Sequence, residues 1–65
     1  MSTEESLAKT EELLARLEAA RARLEATEDI EVAIEVLQEC AELGKQAEAE
    51  LQRARQAAES DAAGA

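Results

Sequence analysis

From Ile30 to Ala58 small and apolar residues recur at alternating steps of three and four: Ile30, Ala33, Leu37, Cys40, Gly44, Ala47, Leu51, Ala54 and Ala58. That alternation is the heptad period of a helix with one face covered by another helix, and it does not fit the period of two of a half-buried strand. Ile34 and Ala41 widen the stripe on one side, and Val36 and Leu43 widen it on the other. The chain has no Pro to break such a helix. At 1.5 Å per residue, a helix over residues 30–58 spans about 43 Å.

A shorter pattern precedes it. Leu13, Leu17, Ala20 and Leu24 fall on one face of a helix read over residues 3–26; Leu14 widens that stripe and Leu7 extends it upstream. Glu11, Glu12, Arg16, Glu18, Arg23 and Glu25 occupy the opposite face, with Glu12 and Arg16 at the i,i+4 spacing of a helical ion pair. Ser2 followed by Glu5 is a capping-box pattern, and Glu4 and Glu5 lie at the positive end of the helix dipole.

The two patterns are out of phase. Continuing the first heptad beyond Leu24 asks for apolar residues near 27, 31 and 34, but Thr27 and Glu31 occupy the first two positions. The slip favours a turn at residues 27–29, where Thr27 or Asp29 can cap the next helix. With no Gly or Pro at the break, one continuous helix is the rival reading. The resulting expectation is an all-α fold, an antiparallel two-helix hairpin of coiled-coil type over residues 1–59, with a disordered tail at 60–65. Each helix of such a pair still exposes the flank turned away from its neighbour. The free chain is therefore expected to be weakly folded until another helical surface completes it, either a second copy or a partner.

Composition tests that expectation. Leu, Ile and Val together number 12 of 65 residues, and the net charge is -9, a balance typical of chains that stay disordered. Periodicity is what argues for a helix that needs a partner instead. The absences are informative too. Without His and with a single Cys, the chain cannot assemble an ordinary zinc site, a His general base or a catalytic triad. No cofactor is expected. Seven scattered basic residues and no aromatic ring make the isolated chain a poor ligand for nucleic acid or an anionic membrane. No signal peptide or membrane span is read, and a lone Cys fits a reducing compartment, so a cytoplasmic location is expected.

Carboxylates are abundant, as in Glu28/Asp29 and the series Glu31, Glu35, Glu39 and Glu42, but they fall on the polar face and read as a solvated surface. Catalytic and metal-ligating residues are expected to be absent. Cys40 sits in the stripe where a small buried hydrophobe belongs. Gly44 costs a helix about 1 kcal/mol relative to Ala, so its place on the stripe suggests a close approach between helices there, the alternative being a tolerated drift from Ala.

Several segments also resemble the small subunit of exodeoxyribonuclease VII. Leu17-Glu18 and Leu24-Glu25 stand at the family's spacing, and Ile30-Glu31-Val32-Ala33-Ile34 resembles the start of its second helix. Leu43-Gly44-Lys45 and Glu48-Ala49-Glu50-Leu51 are similar to a later stretch of that helix, so the resemblance covers residues 11–58. The connector Ala26-Thr27-Glu28-Asp29-Ile30 departs from the family in lacking Gly and Pro. The resemblance implies a non-catalytic subunit that binds helices of a large catalytic exonuclease subunit, in a complex degrading single-stranded DNA to oligonucleotides. The residues expected to meet the partner are Leu13, Leu17, Leu24, Ile30, Ile34, Leu37, Cys40, Gly44 and Leu51. The alternative is a self-associating helical module, natural or engineered, with no nuclease partner.

Overall fold

The computed structural model describes residues 2–64, with side chains described as far as Asp61. Two helices, α1 (Thr3–Ala26) and α2 (Ile30–Gly64), pack against each other as an antiparallel hairpin, and the described residues include no strand. The hairpin measures 54 × 14 × 13 Å. Its long axis is close to the length of α2 alone, about 52 Å at 1.5 Å per residue.

Local chemistry sets both ends of the connector. Ser2 caps α1, its side-chain oxygen accepting from Glu5 N at 3.1 Å. Thr27 takes an extended backbone (φ -90, ψ 144) that no helix can continue through, and α1 stops at Ala26. The Thr27 hydroxyl accepts from Asp29 N at 3.3 Å. Asp29 then caps α2: its Oδ1 accepts from Glu31 N at 2.9 Å and from Val32 N at 3.3 Å. These bonds satisfy N–H groups that a helix start leaves without partners. The break is therefore made by Thr and Asp side chains, without Gly or Pro, and the continuous-helix alternative is excluded.

Packing follows a heptad on both helices. The side of α1 turned to α2 carries Ser6, Thr10, Leu13, Leu17, Ala20 and Leu24, and the matching side of α2 carries Ala33, Val36, Cys40, Leu43, Ala47, Glu50 and Ala54. Leu13, Ala20, Val36, Leu43 and Ala47 form the enclosed centre, with Leu17, Leu24 and Cys40 half-buried against it. The bulk comes mainly from α1, while α2 offers mostly small residues, so large and small side chains interdigitate.

Three expectations are corrected. First, the seam of α2 runs through Val36 (1 % exposed) and Leu43 (3 %), not through Leu37, Gly44 and Leu51. The apolar stripe of α2 is wider than one seam, and α1 covers only its flank. At the open end of α1 the same shift puts Ser6 and Thr10 inside and leaves Leu7 outside. Second, the helix does not end at residue 58. It continues to Gly64, so most of the expected tail, Ser60 to Gly64, is helical, while Ala65 lies outside the described residues. An Ala-rich stretch without Pro has no reason to stop earlier. Third, Gly44 marks no close approach within the chain, since a Cβ built there meets nothing within 4 Å. Gly44→Ala should therefore raise the stability of the free chain by about 1 kcal/mol, through helix propensity and the stiffer unfolded chain. A thermal melt followed by circular dichroism measures it, and a lower midpoint would mean that a neighbour fills this position in solution.

Candidate partner-binding face

The residues left outside the seam share one side of the molecule. Leu7, Leu14, Leu37, Gly44 and Leu51 each follow directly after a buried seam residue: Ser6, Leu13, Val36, Leu43 and Glu50 respectively. Ile30 has the same heptad position one repeat before Leu37. In an antiparallel pair the two helices are related by an axis normal to their common plane, so residues that follow the seam lie forward on both. The opposite flank tests this geometry. Arg23 and Glu39 each directly precede a seam residue, and they form an ion pair across the helices at 3.1 Å.

The front face thus collects Leu7 and Leu14 from α1 with Ile30, Leu37 and Leu51 from α2, and Ile34 lies one step further out. All are well exposed, Ile30 at 72 % and Leu37 at 52 %. On the other flank Val32 is the one large apolar residue exposed among the described residues. Six of the seven large apolar side chains exposed among the described residues are thus gathered on one side of the hairpin.

The expected partner-binding stripe divides accordingly. Leu13, Leu17, Leu24 and Cys40 are turned to the sister helix, whereas Ile30, Ile34, Leu37 and Leu51 are on the front face, with Gly44 forming a shallow notch between Leu37 and Leu51. Leu7 and Leu14, which periodicity places with the α1 stripe, join them on this face. Their position beside, rather than on, the 4-3-4 spacing of Leu13, Leu17, Ala20 and Leu24 is the sequence signal for this face.

Charge edges the strip. The outer margin of the front face on α1 is formed by Glu4, Glu11, Glu18 and Glu25, one per heptad and all exposed. The corresponding margin on α2 holds Ile34, Ala41, Glu48 and Arg55. Arg21 stands in the α1 row of Leu7 and Leu14 and is ion-paired to both Glu18 and Glu25. The hydrogen bond from Arg21 holds the Glu18 carboxyl below the usual carboxylate range, and Glu18 in turn raises the guanidinium. The expected Glu12–Arg16 pair is not formed; Arg21 makes the intrahelical pairs of α1 instead.

The chemistry available elsewhere is sparse. Cys40 is a free, half-buried thiol against the centre of the seam. Among the described residues no three His, Cys, Asp or Glu side chains converge as a metal site. A shallow depression of about 290 Å³, lined by Arg53, Gln56, Ala57 and Ser60, is an open groove along the exposed end of α2. No helix of the described residues is long and apolar enough to cross a membrane. Compared with known proteins, the chain matches no family model, no curated protein and no solved structure.

Proposed function

We propose that this hairpin is a non-catalytic accessory subunit that seats its front face on helices of a larger partner, in a complex of the exodeoxyribonuclease VII type. The observation that carries the docking part is the concentration of Leu7, Leu14, Ile30, Ile34, Leu37 and Leu51 on one side of the hairpin. An amphipathic helical surface of this kind binds by laying its apolar strip into a partner's groove, with anchors at steps of three and four. The nuclease part is supported by the segments at Leu17-Glu18, Leu24-Glu25, Ile30–Ile34 and Leu43–Leu51; the resemblance implies hydrolysis by the large chain, and a composition without His or paired Cys is consistent with that.

The test is capture of the tagged chain from its source cell, followed by identification of what comes with it. Recovery of a much larger exonuclease subunit, together with degradation of single-stranded DNA by the eluate, supports this reading. Recovery of the chain alone, as a stable oligomer, favours the self-associating module. The double variant Leu14→Lys/Leu37→Lys sharpens the result. Both residues are exposed, so the fold should lose no more than about 0.5 kcal/mol. Capture of the partner should fall by about tenfold or more, since two central anchors become charges that would have to be buried. Retained capture by a folded double variant would place the interface elsewhere.

A further inference from the structure

The helix that docks here is specified further by charge. We infer that the front face takes a partner helix whose apolar stripe is flanked, on the side lying along α1, by Lys or Arg at seven-residue spacing. This rests on the docking reading above and adds what the partner must look like. Glu4, Glu11, Glu18 and Glu25 form a rail beside Leu7 and Leu14, with successive carboxylates about 10.5 Å apart along the axis. A helix laid over the leucines places its own flanking residues against that rail at the same repeat. Acidic residues there would meet like charge, chiefly at Glu4 and Glu11, and neutral ones would leave the rail unmatched. Two of the glutamates already hold Arg21, which leaves Glu4 and Glu11 free to meet an incoming cation.

A second copy of this chain does not meet the requirement. Its cations at seven-residue spacing, Lys9, Arg16 and Arg23, lie on the opposite flank of α1, where Val32 is the one large apolar residue exposed among the described residues. No side of the hairpin therefore offers the apolar strip and the basic edge together. Pairing front face to front face also brings two chains of net charge -9 into contact. The matching partner is a different chain with a basic amphipathic helix, and the notch at Gly44 gives a bulky apolar side chain of that helix a place to sit between Leu37 and Leu51.

The experiment uses the full chain and two synthetic four-heptad helical peptides with the same Leu seam. One carries Lys at every flanking position on one side, and the other carries Glu there. Binding is read by fluorescence anisotropy at low and high salt, with sedimentation equilibrium on the chain alone. The Lys peptide should bind about tenfold or more tightly than the Glu peptide, and the gap should narrow as salt screens the rail. In the variant Glu4→Lys/Glu11→Lys, whose exposed side chains leave folding intact by circular dichroism, the preference should shrink or reverse. Equal binding of both peptides overturns the charge rule while helix docking stands. Failure of both peptides overturns the inference, and capture of a large partner by the same preparation would then show that docking uses other chemistry. A stable homodimer that loses association in Leu14→Lys/Leu37→Lys overturns it in favour of a second copy.

Discussion

Leu43→Ala should leave the chain largely unfolded, whereas Leu37→Ala should leave its melting curve nearly unmoved. The two leucines stand less than two turns apart on α2 and differ only in direction: Leu43 is 3 % exposed in the seam and Leu37 is 52 % exposed on the front face. Truncating a buried Leu to Ala costs about 2–5 kcal/mol, part transfer and part cavity. At about 0.05–0.15 kcal/mol per residue, a chain of 65 residues has only about 3–10 kcal/mol in total. Its enclosed centre is five residues, two of them Ala, which puts it near the bottom of that range. Losing Leu43 therefore removes most of the stability. At Leu37 little apolar surface is hidden to begin with, and Ala is the better helix former, so the change stays within about 0.5 kcal/mol. Urea and thermal unfolding followed at 222 nm compare the two directly. The reverse order would put the seam through Leu37, Gly44 and Leu51, where the 3-4 repeat alone places it.

That contrast also shows which part of the structure the sequence makes legible. Helix α1, the turn and the start of α2 are readable because each has a local cause: Ser2 and Asp29 accept the free N–H groups, and Thr27 stands where the first heptad demands an apolar residue. The end of α2 has no such local signal, and an Ala-rich run continues helical to Gly64. The rotation of α2 about its own axis is not a local property at all. Its apolar residues cover two adjacent stripes, one through Val36 and Leu43 and one through Leu37 and Leu51, and the period is the same for both. Which stripe turns inward depends on α1 and on the three-residue connector, which a single-helix periodicity does not contain. For the same reason the front face was legible as an excess of apolar residues but not as a surface. Leu7 and Leu14 read as extra width on α1 until the antiparallel pairing turns them to the same side of the hairpin as Leu37 and Leu51.

Large exposed side chains outside and small ones inside have an energetic consequence. About half of the α2 seam is Ala33, Cys40, Ala47 and Ala54, which hides little apolar area for each residue ordered, while Leu7, Leu14, Leu37, Leu51, Ile30 and Ile34 stay about half exposed or more. The free hairpin is thus held well below what its own apolar content could supply, and a partner on the front face would contribute the remainder. On the proposed docking, a partner that binds the front face would stabilise the fold by mass action.

Glu50→Leu should stabilise the free chain, by about 1–3 kcal/mol. Glu50 is 4 % exposed and lies in the seam near the open end, on the same buried side as Ala47 and Ala54. One carboxylate oxygen is paired with Arg53, but Oε2 is buried without a partner, and so is Ser6 Oγ on α1. Burying a carboxylate with one side unmatched forfeits hydration that a single exposed Arg does not restore, and well-packed apolar replacements of such groups are commonly stabilising. At about 4–8 °C per kcal/mol for a domain of this size, the midpoint should rise by roughly 5–20 °C. Ser6→Ala in the same background should add to the rise by removing the second orphan. The gain should carry a loss of specificity. With Glu50 gone, the α2 seam is apolar throughout and no polar residue marks its register, so sedimentation should show more self-association than in the native chain. A lowered midpoint would mean that Oε2 finds a donor in solution, with the Ser6 hydroxyl the nearest candidate by heptad position, and that this polar layer holds the open end of the hairpin together.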